Sequence, residues 1–245
     1  MDSSQLLLVC LVIAAVAILY SSVGHGGGTG YIAALTLFGF AATFIRPTAL
    51  VLNILVASIG TFQFWRAGYF SWRLFWPFAL LSVPAAYVGG YLHVPQLLLR
   101  VLLGTVLLFS AARLFEQQSD PPEVRRPSLA TALAVGAAIG LLAGLTGTGG
   151  GFFLSAIVLL RKWGRARETA GITPAFILVN SMAGLMGYFI SGQSIPALSA
   201  VLAAAAVSGG VVGSYLGSRK FPVRVLRLLL AVVLVIAGLK MILGT

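Results

Sequence analysis

Acidic side chains are scarce in this 245-residue chain. There are five, Asp2, Glu116, Asp120, Glu123 and Glu168, and each falls at a terminus, in a loop or at a helix start. Cation pumps and sodium- or proton-coupled carriers usually keep an Asp or Glu inside the membrane for their ion. The distribution therefore argues against cation transport and leaves an interior free to receive an anion. The single cysteine, Cys10, lies in an apolar run, which excludes an intrachain disulfide and a cysteine metal cluster. It reads as a small apolar filler, and no metal or other cofactor is expected. The phosphate-binding pattern G-x-x-x-x-G-K-S/T does not occur, so ATP would have to come through a separate subunit. Apolar and polar residues do not alternate along the apolar runs, which disfavours a strand barrel.

Apolar residues make up 59% of the chain, charged residues 9%, and mean hydropathy is +1.03. Soluble domains are roughly half apolar, so this is a membrane protein. Runs such as Leu6–Val23, Trp72–Tyr91, Leu97–Phe115, Leu198–Leu216 and Val225–Leu243 are long enough to cross a hydrocarbon core of roughly 30 Å as helices. The start, Met1–Gln5, carries no basic stretch, and the first run reads as a retained span. A net charge of +11 would point a soluble domain toward nucleic acid. Here the basic residues stand at the ends of apolar runs, where they mark topology. The expected partners are the lipid bilayer and a small anionic substrate, with no nucleic acid; a homo-oligomer is left open.

One stretch is written twice. Gly24-His25-Gly26-Gly27-Gly28 returns as Gly147-Thr148-Gly149-Gly150-Gly151, Arg46-x-Thr48-Ala49 as Arg167-x-Thr169-Ala170, and Gly89-x-Tyr91-Leu92 as Gly213-x-Tyr215-Leu216. After a three-residue insertion Pro95 meets Pro222 and Arg100 meets Arg227. The expected organisation is a first transmembrane repeat at residues 1–117, a linker at 118–127 and a second repeat at 128–245. Each repeat reads as five apolar segments. In the first these are Gln5–Ser22, Thr29–Phe40, Pro47–Phe64, Trp72–Leu92 and Gln96–Phe115; in the second, Ser128–Leu145, Gly149–Leu160, Glu168–Ile190, Ile195–Leu216 and Pro222–Leu243. The fold expected is all-α, a polytopic helical bundle of two inverted repeats. Five segments per repeat is odd, which turns the second copy upside down; a re-entrant second segment would make the count even and the repeat parallel. Basic loops Arg161–Arg167 and Arg219–Arg224 flank the uncharged Ser191–Ser194, which places the two basic loops in the cytoplasm. Arg66 and Arg73 move the bias of the first half to its other loop.

The second segment of each repeat has about twelve apolar residues after its glycines, roughly 18 Å of helix, which is too short to span. Short, glycine-interrupted segments at matching places in two repeats point to a transporter's midplane site. Close helix packing is the plainer explanation of the glycines, but three in a row exceed what packing needs and cost about 1 kcal/mol each in a helix. The amides of Gly26, Gly27, Gly28 and of Gly149, Gly150, Gly151 can turn toward one point, aided by the positive ends of the following helices. Thr29, Thr146 and Thr148 can add hydroxyl donors. Counted from Arg46 and Arg167, Ser58, Asn180 and Ser181 sit roughly 18 to 21 Å along their helices, near the bilayer centre. Asn180 reads equally well as an anion donor or as an interhelical bond; Asn53 lies shallower and reads better as helix packing. Thr173-Pro174 is expected to kink its helix and free the Ala170 carbonyl. His25 is the titratable group set in a turn and could carry a proton, although Thr148 holds the matching place; His93 reads as interfacial.

The glycine turn, the Arg-x-Thr-Ala start of the third segment and the repetition of both resemble the TauE/SafE sulfite exporter family of bacterial integral membrane proteins, over essentially the whole chain. The resemblance implies a multi-pass protein of the cell inner membrane that moves small sulfur-containing anions such as sulfite and organosulfonates, usually outward. It brings no catalytic motif, and none is expected. Other readings are a carrier of another small organic anion, a membrane enzyme acting on lipid phosphate, or an assembly subunit. The enzyme would need an acid or nucleophile near the site, and an assembly subunit would not need two matched glycine turns.

Overall fold

The computed structural model describes residues 2–115, 123–218, 234–240 and 242–243. Its helices are α1 (Ser3–Ser22), α2 (Gly28–Leu37), α3 (Ala42–Arg66), α4 (Trp72–Tyr91), α5 (Gln96–Phe115), α6 (Leu129–Thr146), α7 (Gly151–Leu160), α8 (Ala166–Ile190) and α9 (Leu198–Gly217). Residues 234–240 are also helical, and there is no strand among the described residues. α1, α3, α4, α6, α8 and α9 are long and apolar enough to cross a membrane. The end of the first expected repeat (116–117), part of the expected linker (118–122), the loop Arg219–Arg224 and residues 222–233 and 241 of the last expected segment lie outside the described residues.

The first nine expected segments are present among the described residues, with ends moved by up to three residues and by five at the start of α3. α3 begins five residues before Pro47 and runs through it. The missing N–H costs only the bond to Thr43, which is exposed near the helix start. α8 likewise runs through Pro174. α1 to α4 hold 20, 10, 25 and 20 residues, and α6 to α9 hold 18, 10, 25 and 20, so the two halves match element by element.

The long helices α3 and α8 pack against each other. They run antiparallel: Arg46, near the start of α3, lies over the Tyr188 ring near the end of α8 at 5.3 Å, and Arg167, near the start of α8, lies over the Tyr69 ring just past the end of α3 at 5.6 Å. Outside this pair, the first helix of each half packs on the fourth of the other. Gly136, Gly140 and Gly144 of α6 rest on the carbonyls of Phe78, Ser82 and Ala86, and Gly209, Gly213 and Gly217 of α9 rest on those of Ala14, Ile18 and Ser22. A Cβ at any of the six would run into that oxygen, so glycine every fourth residue sets the helix spacing. Two hydrophobic clusters follow from the exchange, one joining α1, α2, α3, α5 and α9, the other joining α4, α6, α7 and α8.

α2 and α7 fold back on the helices before them. Gly30 lies against Val16 and Tyr20 of α1, and Gly150 against Ile139 and Ala143 of α6. Ten residues give about 15 Å of helix, too short to cross a membrane, and the two turns lie beside Asn53 and Ile177, near the middle of α3 and α8. The loops at 67–71, 123–128 and 161–165 share one end of the bundle. Gly171 sits on the Tyr69 carbonyl, and the Arg125 N–H donates to the Lys162 carbonyl at 2.9 Å.

Candidate functional site

Both turns are built from left-handed backbone that glycine alone adopts readily. Gly24 and Gly27 have φ of +77° and +98°, and Gly147, Gly149 and Gly150 have +79°, +73° and +75°. Gly27 and Gly150 cap the N-termini of α2 and α7. The first bonds of the two half-helices run from the Tyr31 N–H to the Gly27 carbonyl (2.8 Å) and from the Leu154 N–H to the Gly150 carbonyl (3.1 Å). The amides of Gly28 to Gly30 and of Gly151 to Phe153 therefore have no carbonyl one turn back, and each half-helix presents the positive end of its dipole there.

The structure brings the two turns together at the α3–α8 crossing. A Cβ on Gly28 would stand 2.5 Å from the Thr148 carbonyl oxygen and 2.7 Å from Asn53 Nδ2; one on Gly26 would stand 3.0 Å from Ile177 Cγ2 and 3.1 Å from Asn53 Oδ1. One on Gly149 would meet Ile177 Cγ2 at 2.7 Å, Ser181 Oγ at 2.9 Å and Asn53 Nδ2 at 3.2 Å. Asn53 and Ile177 are each the twelfth residue of a 25-residue helix. Gly27, Gly150 and Gly151 face other groups: the Tyr31 ring, Ile139 with Ala143, and Ile177 with Thr173.

Asn53, which sequence reasoning set aside as a packing residue, stands between both turns. It is fully buried; its Nδ2 donates to the Gly147 carbonyl at 3.1 Å, and its Oδ1 has no partner. Ser181 is also fully buried, with an unpartnered hydroxyl beside Gly149. Buried polar atoms without partners are uncommon, and these two face the glycine turns. Asn180 takes the interhelical role: its Oδ1 accepts from Ser82 of α4 at 2.8 Å, while its Nδ2 is buried without a partner. Ser58 is not brought to the turns. It is exposed on the side of α3 that also shows Leu55 and Phe62, and its hydroxyl donates to the Ile54 carbonyl at 2.6 Å.

The threonines near the turns have their hydrogens committed. Thr29 donates to the Tyr20 hydroxyl (3.1 Å) and Thr146 to the Leu142 carbonyl (2.6 Å). The 3.0 Å bond between Thr146 and Thr148 is then donated by Thr148. In this structure each of the three hydroxyl hydrogens is given to another group of the protein. The Ala170 carbonyl, deprived of its partner by Pro174, lies against Gly24. His25 joins the halves: its Nδ1 lies 3.1 Å from the Val23 carbonyl and its Nε2 2.9 Å from the Ser155 hydroxyl of α7. A carbonyl only accepts, so Nδ1 carries a hydrogen. Ser155 also lies 3.0 Å from the Phe152 carbonyl. In the neutral ring Ser155 gives its hydrogen to Nε2; in the cation Nε2 donates to Ser155, which turns to Phe152. Both charge states are hydrogen-bonded.

Arg46 is also more than a helix-start marker. It is buried, and its guanidinium donates from Nε to Gly144 (3.1 Å), from Nη1 to Leu92 (3.3 Å) and from Nη2 to Gly89 (2.6 Å) and Gly90 (2.7 Å), all carbonyls at the ends of α6 and α4. Those carbonyls are among the ones a helix end leaves without internal donors, and the dipole there favours a cation.

Six helices long and apolar enough to cross a membrane, with two short helices that follow glycine turns at matching places, are the pattern of a polytopic membrane transporter. The family model for the sulfite exporter TauE/SafE matches residues 9–241, and the chain belongs to that family. It is 39% identical over 232 residues to the probable membrane transporter protein y4hK of Sinorhizobium fredii, covering 93% of this chain and 94% of that one. It is 28% identical over 242 residues to the probable membrane transporter protein YjnA of Bacillus subtilis, covering 89% and 92%. No solved structure matches the chain. It is thus a multi-pass membrane transporter; the family and these relatives are named for transport and not for catalysis.

Proposed function

We propose that the protein is a secondary transporter of small sulfur-containing oxyanions, sulfite or organosulfonates, which bind at mid-depth between two inverted copies of one unit (residues 1–117 and 128–245). The observation that carries the reading is the meeting of the two half-helix N-termini around Asn53 and Ser181. Amides at helix N-termini favour an anion by about 0.3–1 kcal/mol each end when exposed, and up to about 2 kcal/mol when partly buried. Ser181 adds a hydroxyl with its hydrogen uncommitted, and Asn53 holds the turns in register. The antiparallel run of α3 and α8 supports inversion, since these are matching elements of the two copies. The acid-poor interior supports an anion over a cation.

The test is a thermal-shift series on purified protein with sulfite, methanesulfonate, sulfate, phosphate and acetate, followed by uptake into liposomes. A ligand that binds only the folded state raises its apparent stability. Stabilisation by sulfite or a sulfonate, with transport of the same anion, is expected. Stabilisation by none of the five, in protein that melts cooperatively, removes the anion site.

A further inference from the structure

We propose that the site between the turns, taken as the anion site argued above, binds its anion singly charged and with one hydrogen still on oxygen. Among sulfur anions that is hydrogensulfite protonated on oxygen, in preference to a bare sulfonate or the sulfite dianion. The Asn53 amide decides it. A carbonyl only accepts, so the 3.1 Å bond to the Gly147 carbonyl fixes which amide atom is nitrogen. The Oδ1 is thereby turned toward the first turn, 3.1 Å from where a Cβ on Gly26 would stand. Asn53 is fully buried, and nothing donates to that oxygen. On the side of the second turn, Asn53 Nδ2 and Ser181 Oγ lie 3.2 Å and 2.9 Å from where a Cβ on Gly149 would stand. The Ser181 hydroxyl is also fully buried without a partner.

Two orphaned atoms of different kinds therefore face the meeting of the turns: an amide oxygen, which can only accept, and a hydroxyl, which can donate. An anion whose oxygens are all bare suits Ser181 and the helix-start amides but sets a lone pair against Oδ1. An anion that keeps one hydrogen gives it to Oδ1 and rests its other oxygens on the donors. Both orphans are then paired, as buried polar atoms generally are. Charge points the same way. The side chains that border the turns at the α3–α8 crossing, Asn53, Ala57, Ile177 and Ser181, carry none. The Arg46 guanidinium is committed to the carbonyls at the ends of α4 and α6, and His25 turns to Val23 and Ser155. What faces the anion is the positive ends of α2 and α7, each equivalent to roughly half an elementary charge. Two such ends balance one negative charge and leave the second charge of a dianion uncompensated, which is costly in a buried site.

The experiment compares methylphosphonate with methanesulfonate on the purified full chain at about pH 5.5, below the second ionisation of a phosphoryl group, where both are singly charged. The two share a shape and differ by one hydrogen on oxygen. At a single pH the protonation of His25 is common to both. Apparent affinities are read from melting temperature against ligand concentration. Methylphosphonate, and sulfite at the same pH, are expected to bind at least about tenfold tighter than methanesulfonate, because a site built to bond a ligand hydroxyl rejects an analogue lacking it. Asn53→Ala, which removes Oδ1, should bring the methylphosphonate and methanesulfonate affinities within about twofold of each other. If Asn53 serves only to hold the turns in register, the substitution weakens both anions by one factor and their ratio stays. Equal affinity of the unsubstituted protein for the three anions, or a ratio unchanged in Asn53→Ala, overturns the assignment and leaves the anion site in place. No shift with any of the three, in protein that melts cooperatively, removes the anion site and the assignment with it. Should Asn53→Ala fail to fold, the ratio in the unsubstituted protein decides.

Discussion

Asn53 of α3 and Gly147 of the second turn are joined across the two halves of the chain: the Asn53 amide donates to the Gly147 carbonyl at 3.1 Å, and its oxygen faces Gly26 of the first turn. One side chain thereby sets the spacing between two half-helix N-termini. An oxyanion held by both turns requires that spacing to be fixed.

Asn53→Ala is expected to lower stability by about 1–3 kcal/mol, because the Gly147 carbonyl loses its donor in a buried site. It should also weaken sulfite binding roughly tenfold, or about 1.4 kcal/mol. Ser58→Ala is the control: its hydroxyl bonds only within its own helix and should stay within about 0.5 kcal/mol. Equal binding by Asn53→Ala and the parent protein would remove Asn53 from the site.

Much of this arrangement is legible in the residues: the matching order of elements in the two halves, the short second segments and the glycine turns. Depth is where the reading slipped. Counting from Arg46 puts Ser58 at the bilayer centre, but α3 starts at Ala42, so its middle falls beside Asn53. The threonines mislead for a different reason. A hydroxyl near a helix end finds a carbonyl one turn back, as Thr146 finds Leu142, and is no longer a free donor. Arg46 looks like a surface marker because only tertiary structure brings it two helix C-termini. The stripes Gly136/Gly140/Gly144 and Gly209/Gly213/Gly217 are visible at four-residue spacing, yet which helix each one meets depends on the exchange between halves.

Sidedness gives a second prediction. The loops at 67–71, 123–128 and 161–165 share one end, which gathers Arg66, Arg73, Arg125, Arg126, Arg161, Lys162, Arg165 and Arg167. Such an excess marks the cytoplasmic side. In a Cys10→Ser background, cysteines at 126 and 162 should label from the cytoplasm and one at 193 from the opposite side. Labelling of position 193 from the cytoplasm alone would reverse the topology.

His25 gives a third. Because both of its charge states are hydrogen-bonded through Val23 and Ser155, it can take up and release a proton without breaking the link to α7. His25→Thr, which copies the other turn, should keep the sulfite-induced thermal shift and flatten the pH dependence of transport between pH 5 and 8. Ser155→Ala should alter the same limb of the profile. A His25→Thr protein that folds but no longer binds sulfite would make the imidazole a direct ligand.

The glycines themselves separate anion binding from helix packing, and the structure says which ones to change. At Gly27 and Gly150 a side chain would strike the Tyr31 ring or Ile139, so Gly27→Val and Gly150→Val should first cost folding and report little about the site. Gly149→Ala puts a methyl group 2.9 Å from the Ser181 hydroxyl and 3.2 Å from the Asn53 amide, on the side facing the other turn. Its φ of +73° adds strain of about 1–2 kcal/mol. Gly39→Ala is the matched control, at φ of +81° with nothing within 4 Å. Both variants should melt lower because both force a side chain into left-handed backbone, and Gly149→Ala more so, since its methyl also meets Ile177 Cγ2 at 2.7 Å. Only Gly149→Ala should also lose its response to sulfite, by at least about tenfold in affinity. Gly28→Ala, without the φ penalty but 2.5 Å from the Thr148 carbonyl, should behave like Gly149→Ala. If all three variants melt lower yet keep the same sulfite affinity, the turns serve packing alone and the anion must bind elsewhere.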